Sequence, residues 1–278
     1  MFTLNCKGRL LVVDKPLVMG ILNLTPDSFF SGSRVQTTDA VLRRAEEMLR
    51  DGATILDIGG QSTRPGSEKL EADEEWQRIE APIMAVHSTF PELILSVDTY
   101  YGSVAERAVA AGVSIINDIS AGSLDESMTA TAARLQVPYV LMHMKGTPQT
   151  MAGEAEYENV TTEVLDTLAV QKARFEKLGI KDIIIDPGFG FAKTVEHNFT
   201  LLRHLSAFSL LKAPLLLGIS RKSFIWKTIQ SAAGDSSTLT GTTALNMAGL
   251  MQGASILRVH DVKEAAVCIQ LFNRLGLG

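Results

Sequence analysis

The sequence predicts an α/β protein, a (β/α)8 TIM barrel with an N-terminal β-hairpin. Three observations support this fold: eight short apolar runs rich in β-branched residues, stretches of helical spacing between them, and a length of 278 residues. Strands that are apolar on both faces are typical of a parallel sheet covered by helices. Such a barrel needs about 250 residues, and a doubly wound open sheet is the alternative.

The predicted barrel strands recur about every 33 residues, as expected for a strand with its crossover helix. They are Leu17–Leu22, Thr54–Ile58, Leu93–Val97, Ser114–Ile116, Tyr139–Met142, Ile183–Ile185, Leu215–Ile219 and Ile256–Val259. The segment Phe2–Val13, with its KGR turn, predicts a hairpin that closes the barrel floor. The first helix has Asp39 in its first turn and Gly52 just past its end. No linker divides the chain, so residues 1–278 are predicted to form one domain.

Composition narrows the function classes. There are 26 Lys and Arg against 31 Asp and Glu, a net charge of −5, which argues against a general nucleic-acid-binding surface. No apolar run is long enough to span a membrane, and the start of the chain lacks a signal-peptide pattern. Cys6 and Cys268 are too few for a disulfide framework or a zinc site. We therefore expect a cytoplasmic enzyme or binding protein with no membrane or nucleic-acid partner.

Polar side chains follow nearly every predicted strand, at the end where barrels of this type carry their chemistry. They are Asn23, Asp57, Asp98, Asn117, Asp118, His143, Asp186, Ser220, Arg221, Lys222, Arg258 and His260. Any single one has an alternative explanation as a helix cap or turn residue. The recurrence over eight strands predicts a ring of converging groups, which is a binding site.

The residue types in this ring indicate its chemistry. Three can accept hydrogen bonds from a flat, guanidine-like edge: Asp98, Asn117 and Asp186. Four cations can neutralise an anion: Arg64, Lys222, Arg258 and His260. Asn23 offers a hard oxygen ligand for a Mg²⁺ ion that keeps most of its waters and bridges phosphate oxygens.

Three members of the ring have structural interpretations instead. Asp57 is expected to serve packing and backbone hydrogen bonds, and Asp118 is expected to be structural because it faces away from Asn117. His143 is as compatible with a buried core histidine as with a catalytic role. No Ser–His–Asp pattern or phosphate-binding glycine loop is evident, so the ring predicts positioning and charge stabilisation.

Eight segments of the chain resemble bacterial dihydropteroate synthases, in order and over nearly the whole length. They are MGILNLTPDSFF, DIGGQSTRPGS, SVDT, NDIS, LMHMKGTPQTM, DPGFGF, SRKS and RVHDV. The resemblance implies a Mg²⁺-assisted TIM-barrel transferase of folate synthesis, usually a homodimer and a target of sulfonamides. It would join 6-hydroxymethyl-7,8-dihydropterin diphosphate to 4-aminobenzoate by an SN1-like path, releasing diphosphate and 7,8-dihydropteroate.

The resemblance also implies roles for individual residues. The pterin diphosphate contacts would be Thr63, Asp98, Asn117, Met142, Asp186, Phe191, Gly218, Lys222, Arg258 and His260. The 4-aminobenzoate contacts would be Phe29, Thr63, Arg64, Pro65, Phe191, Ser220 and Lys222. Asn23 would bind the metal.

One departure from the family pattern lies in the first loop, where DSFFSGSR stands in place of the usual DSFSDGG. Ser31 replaces the second loop aspartate, which bears on loop closure and metal binding.

Two alternative functions share parts of the pattern. A pterin-dependent methyltransferase would keep the pterin acids but expel no diphosphate. A silent pterin-binding protein would be favoured by loss of Asn23, Lys222, Arg258 or His260, all of which are present.

Overall fold

A computed structural model of the protein describes residues 1–24, 34–62, 67, 69–232 and 234–276, with the backbone alone for residues 34–37. The described residues form ten strands and nine α-helices. The strands are β1 Phe2–Cys6, β2 Arg9–Val13, β3 Leu17–Asn23, β4 Ile55–Gly59, β5 Ile94–Asp98, β6 Ile115–Asp118, β7 Tyr139–Met142, β8 Ile183–Asp186, β9 Leu216–Leu217 and β10 Ile256–Val259. The helices are α1 Arg34–Arg50, α2 Ala72–Thr89, α3 Gly102–Ala110, α4 Ser127–Leu135, α5 Val160–Lys177, α6 Val195–Arg203, α7 Ser223–Thr228, α8 Ser236–Met251 and α9 Val262–Leu275.

Strands β3 to β10 form one parallel sheet in the spatial order β8-β7-β6-β5-β4-β3-β10-β9. A parallel bridge between Ile185 and Leu215 joins the two edge strands and closes the barrel. Strand β9 is shorter than predicted because the chain turns just after it: the Lys222 amide donates to the Ile219 carbonyl, and Arg221 has a φ of +56°. The TIM barrel predicted from the sequence is confirmed.

The hairpin of β1 and β2 closes the amino-terminal end of the barrel. Its strands pair antiparallel from Phe2 opposite Val13 to Cys6 opposite Arg9. One hairpin face packs on the inward side chains at the start of the barrel strands. This buried floor contains Leu4, Cys6, Leu11, Val13, Met19, Ile55, Ile94, Ile115, Val140, Ile184, Leu216 and Ile256. The predicted hairpin therefore seals the end of the barrel opposite the polar ring.

The first barrel helix confirms one predicted boundary and corrects another. Helix α1 ends at Arg50, and Gly52 follows with a φ of +109°, a conformation that glycine adopts without strain. The helix begins at Arg34, so the prediction that Asp39 lies in its first turn is wrong. The polar residues before Asp39 continue the helix by more than one turn. Among the described helices, none is both long and apolar enough to cross a membrane.

Candidate active site

Strand alternation carries the polar ring into the mouth of the barrel. On β5, Ile94, Ser96 and Asp98 share one face, and Ile94 belongs to the floor. The same spacing places Asn117 two residues beyond Ile115 on β6 and Asp186 two residues beyond Ile184 on β8. Arg258 stands in the same relation to Ile256 on β10. The side chains that end these strands therefore converge inside the carboxyl-terminal end of the barrel.

A network around Arg258, here called the arginine cluster, joins four strands. The Arg258 guanidinium donates from Nε to Asp57 Oδ2 at 2.7 Å and from Nη2 to Asp98 Oδ2 at 2.5 Å. Asn117 Nδ2 donates to the same Asp57 oxygen at 2.8 Å. Asp57, Asp98 and Asn117 are buried, and the Arg258 side chain is 19% exposed. Because Nη1 has no partner among the described residues, the guanidinium can still bind an anion at the mouth.

Burial and the attraction between opposite charges have opposing effects on the pKa of Asp98 and on the pKa of Arg258. Burial raises the pKa of Asp98 to about 7, while the neighbouring Arg258 acts against that shift. Burial disfavours the charged Arg258 guanidinium, but Asp57 and Asp98 outweigh it and raise the Arg258 pKa above its ordinary value. Arg258 therefore remains a cation within a site that carries two carboxylates.

Asp57 has a larger role than the sequence suggested. We expected it to serve packing and backbone hydrogen bonds, yet its side chain binds two of the predicted substrate contacts, Arg258 and Asn117. Its relative exposure is 0%, so it orients those residues from beneath and does not face a ligand. The sequence signal for this role is the spacing of two residues between Ile55 and Asp57. This spacing places both side chains on the same face of β4, inside the barrel.

The DPGFGF segment begins at the last residue of β8, and its two glycines have structural reasons. Asp186 Oδ1 accepts the Gly188 amide at 2.7 Å, and Gly188 and Gly190 have φ values of +73° and +77°. A Cβ on Gly188 would collide with the His143 carbonyl, and one on Gly190 would lie 2.8 Å from Cδ of Lys222. Both positions therefore require glycine, for conformation and for space.

Lys222 lies against this segment. Its Nζ donates to the Phe189 carbonyl and lies 4.4 Å from the centroid of the Phe191 ring. Burial lowers the Lys222 pKa to about 8, and Asp186 acts against that shift. A Cβ at position 218 would lie 3.6 Å from Asp186 Oδ2, so Gly218 leaves that carboxylate accessible. Lys222, Phe191, Asp186 and Gly218 thus meet, as the predicted site requires.

Lys193 is a site neighbour that the sequence analysis did not identify. Its Nζ lies 3.0 Å from His143 Nδ1 and donates to the Phe191 carbonyl at 3.0 Å. Burial, and then the nearby lysines, lower the His143 pKa to about 3, and burial lowers the Lys193 pKa to about 7. His143 is thus a neutral, buried histidine with a lysine partner, which agrees with the core interpretation. The position of Lys193 directly after DPGFGFA was the only sequence signal.

The remaining described members of the ring form three separate contacts. Ser220 Oγ lies 3.0 Å from His260 Nδ1 and accepts the His260 amide at 3.1 Å. Arg221 makes two hydrogen bonds to Asp261, at 2.7 and 2.8 Å. The Asp118 carboxylate accepts hydrogen bonds from Ser120, Gly122 and Tyr139. These bonds confirm that Asp118 is structural.

Asn23 ends β3 and pairs in register with Gly59, which pairs in turn with Asp98. A Cβ on Gly59 would lie 3.6 Å from Asn23 Oδ1, so the glycine keeps space open beside this oxygen. No group of three or more His, Cys, Asp or Glu able to hold a metal occurs among the described residues. A single carboxamide oxygen at the mouth fits a Mg²⁺ ion that keeps most of its waters.

Several predicted residues lie outside the described part of the chain. These are Phe29, Ser31, Thr63, Arg64 and Pro65, and the side chain of Arg34 is not described either. Met142 lies in a buried cluster with Tyr100 and Ile119, against which Phe191 packs. The described members of the predicted pterin diphosphate site therefore lie around one mouth. They include Met142 and Phe191, which belong to one apolar cluster.

An eight-stranded parallel barrel with buried acids, an amide and cations at the carboxyl-terminal mouth is the arrangement of a barrel enzyme. The family model of the pterin binding enzymes matches residues 19–260. The chain belongs to this family and, within it, to the dihydropteroate synthases.

Individual relatives extend over nearly the whole chain. The dihydropteroate synthase of Escherichia coli K12 is 41% identical over 270 residues, covering 96% of this chain and 94% of that protein. The chain spans only 37% of the fission yeast folic acid synthesis protein fol1, to which it is 41% identical over 273 residues.

Two solved structures share the complete barrel. The Xanthomonas albilineans dihydropteroate synthase with 4-aminobenzoic acid superimposes with a TM-score of 0.91 at 37% identity, covering 99% of this chain and 98% of that one. The Yersinia pestis dihydropteroate synthase with a sulfonamide drug has a TM-score of 0.92 at 36% identity and covers both chains completely.

Proposed function

We propose that the protein joins 6-hydroxymethyl-7,8-dihydropterin diphosphate to 4-aminobenzoate, releasing diphosphate and 7,8-dihydropteroate. The observation that carries this proposal is the convergence of Asp98, Asn117, Asp186, Lys222 and Arg258 at one barrel mouth. The chain belongs to the pterin binding enzymes, which supports pterin transfer as the reaction at that mouth. The activity is that of a transferase.

The pterin would bind through its amino-pyrimidine edge. Carboxylate oxygens of Asp98 and Asp186 accept hydrogen bonds from that edge, and the Asn117 amide both accepts and donates. Asp57 and Arg258 hold Asn117 and Asp98 in place before substrate arrives. Met142 and Phe191 supply apolar walls, and Gly218 lets the ring approach Asp186. This arrangement selects a flat, hydrogen-bond-donating heterocycle.

The diphosphate would lie toward Arg258 and His260, and the family resemblance adds Thr63 to its contacts. Nη1 of Arg258, which has no partner among the described residues, offers donors to a phosphate oxygen. Asn23 would bind Mg²⁺, which supplies charge neutralisation of the leaving diphosphate when bound. Arg258 contributes the same stabilisation from the protein side, because it remains a cation in the buried cluster.

The reaction would break the bond between the pterin methylene carbon and the diphosphate oxygen. The electron pair leaves with the diphosphate, and the positive charge is shared by the methylene and the electron-rich ring. The neutral amine of 4-aminobenzoate then forms the new C–N bond and loses a proton to solvent. Buried carboxylates stabilise the cationic pterin, so this path requires no strong general base.

The 4-aminobenzoate would bind between Lys222, Ser220 and Phe191, together with Phe29, Thr63, Arg64 and Pro65. Lys222 lies over the Phe191 ring, and this cation can attract an aromatic carboxylate. A sulfonamide presents a similar aromatic amine, so we expect it to compete with 4-aminobenzoate at this end of the site.

A coupled assay of diphosphate release tests the proposal. The protein is given the pterin diphosphate and Mg²⁺, with and without 4-aminobenzoate. Sustained release that requires 4-aminobenzoate is expected, and a sulfonamide should inhibit it competitively. Pterin binding without release would contradict the proposal and favour a methyltransferase or a silent binding protein.

We further propose a cytoplasmic homodimer in which residues 1–278 form one domain. The homodimer is supported by an exposed apolar stripe on α9, made by Val267, Leu271 and Leu275 at intervals of four residues. Sedimentation should give a dimer, and Leu271→Glu should shift it toward monomer. A wild-type monomer at micromolar concentration would contradict the homodimer.

A further inference from the structure

Two turns at the mouth of the barrel are joined through their side chains. The turn between β9 and α7 carries Ser220, Arg221 and Lys222, and the turn between β10 and α9 carries His260 and Asp261. Ser220 Oγ lies 3.0 Å from His260 Nδ1, and the Arg221 guanidinium donates to both carboxylate oxygens of Asp261. We call the contact between Arg221 and Asp261 the turn bridge.

The turn bridge is a two-point contact between charged groups. Arg221 donates from Nε to Asp261 Oδ2 at 2.8 Å and from Nη2 to Asp261 Oδ1 at 2.7 Å, so neither group can rotate without breaking a bond. The two side chains are 31% and 17% exposed, whereas Arg134 and Glu106, an ion pair between α4 and α3, are 56% and 51% exposed. A bidentate and sheltered pair holds its partners in one geometry, which an exposed single contact does not.

The backbone of Arg221 is held in a conformation that favours glycine. Its φ is +56°, in the left-handed region. The Arg221 amide donates to Oγ1 of the buried Thr242 on α8 at 3.1 Å, and the Lys222 amide donates to the Ile219 carbonyl at 3.1 Å. A residue other than glycine keeps such a backbone only where surrounding contacts impose it. Because Ser220 and Lys222 flank Arg221, these contacts also fix the backbone from which both side chains extend.

His260 is held at three of its atoms. Its amide donates to Ser220 Oγ at 3.1 Å, and its ring Nδ1 lies 3.0 Å from the same oxygen. Its carbonyl accepts from Nη2 of Arg44 on α1 at 3.1 Å. The orientation of the imidazole therefore depends on the position of Ser220. Arg221 and Asp261 are the sequence neighbours of Ser220 and His260, so the turn bridge keeps these two residues together.

We propose that Arg221 and Asp261 are positioning residues that align His260 with Lys222 for the transfer reaction. This inference rests on the proposed function, in which His260 contacts the leaving diphosphate and Lys222 contacts substrate. A small misplacement of groups that act in the transition state lowers the rate even when most ground-state contacts remain. The acids and the amide at the strand ends do not depend on the turn bridge, so they would still bind the pterin when it is broken.

Substitutions of the two charged groups test the turn bridge by kinetics. Arg221→Gln and Asp261→Asn should each lower kcat about tenfold, and the Kd for pterin diphosphate without 4-aminobenzoate should change less than about threefold. Because both remove the same contact, the double variant should lose less than about twofold more than either single variant. Arg134→Gln is the matched control, and its kcat should stay within about twofold of the wild-type value. Multiplying losses in the double variant, or a loss of pterin binding that accounts for the whole effect, would overturn the proposal.

Nitrogen-15 NMR of the imidazoles in the ligand-free protein provides a readout independent of catalysis. The chain has five histidines, and the signals of His260 are those missing from a His260→Gln protein. Arg221→Gln and Asp261→Asn should shift the Nδ1 resonance of His260, because its partner Ser220 is no longer held beside it, and Arg134→Gln should not.

The two measurements separate failure of the turn bridge from failure of the proposed function. An unchanged Nδ1 resonance of His260 in a folded Arg221→Gln protein would overturn the turn bridge. Absence of arylamine-dependent diphosphate release in the wild-type protein would overturn the proposed function instead. The NMR comparison would then still decide whether Arg221 and Asp261 orient His260.

Discussion

The two ends of the barrel are built by the same strands and differ completely in chemistry. On β5, Ile94 lies in the apolar floor, and four residues later Asp98 lies in the arginine cluster. The floor is sealed by the hairpin, whereas the opposite mouth exposes part of Arg258. Stability and chemistry therefore occupy separate layers, because each strand places every second side chain inside the barrel.

The barrel interior changes from apolar to polar at the pair formed by Asp57 and Ser96, which lies between the floor and the mouth. Ser96 and Asp57 pair in register on adjacent strands, and both are fully buried. Asp57 uses Oδ2 for Arg258 and Asn117, while Asp57 Oδ1 and the Ser96 hydroxyl have no partner among the described residues. The polar layer thus begins below the residues that would touch substrate.

Removing the carboxylate that organises the mouth should have the largest effect. In Asp57→Asn, the Arg258 cation loses one of its two carboxylates, and an amide donor can face the Arg258 and Asn117 donors. We expect kcat/KM to fall about 100-fold or more, because Arg258 and Asn117 lose the carboxylate that orients them for substrate. Steady-state assays of diphosphate release would measure this loss.

The same substitution at the other end of the barrel is the control. Asp182 accepts the Asn5 amide at 3.0 Å beside the hairpin, so Asp182→Asn should leave kcat/KM within about twofold. Equal activity losses in the two variants would show that the two ends are not functionally separate.

Shortening a buried side chain of the hairpin should lower the stability of the fold without changing the binding of substrate at the mouth. Leu4 is 2% exposed in the floor, and Leu10 on the same hairpin is 63% exposed. Leu4→Ala should lower the free energy of unfolding by about 2–4 kcal/mol, and Leu10→Ala by less than about 0.5 kcal/mol. Urea denaturation checks both values, and a changed KM in a folded Leu4→Ala protein would contradict the separation.

The smallest effect is expected in the pH dependence of stability, through the buried Glu75 of α2, which accepts a hydrogen bond from Thr99. Burial, with a further contribution from Asp98, raises the Glu75 pKa to about 8 despite the Thr99 hydrogen bond. The folded state then binds more protons than the unfolded state between about pH 4.5 and 8, so stability falls as pH rises through that range. Glu75→Gln should remove up to about 1 kcal/mol per pH unit of that slope.

Urea denaturation at several pH values measures the slope. The exposed neighbour Glu74 provides the control, since Glu74→Gln should keep the wild-type pH dependence. A Glu75→Gln protein with an unchanged slope would show that Glu75 is ionised in the folded state.

The barrel and most of the residues at its mouth were predictable from the sequence. Apolar strands of regular spacing define the fold, and residues such as Asp98, Asn117 and Asp186 come directly at strand ends, so their place follows from local order along the chain. The hairpin was predictable for the same reason, because its strands and turn are contiguous in sequence. Alternation within a strand extends these predictions to which side chains point inward.

Which of these side chains bind one another could not be predicted from the sequence. Asp57 and Arg258 are 201 residues apart, Tyr100 and Gln61 are 39 apart, and Lys193 meets His143 across 50 residues. Such contacts depend on the order in which the barrel closes and on side-chain reach across it, neither of which leaves a periodic signal. Most buried polar groups are paired in a folded protein, because an unpaired one is costly, but the sequence does not specify which distant residue will be the partner.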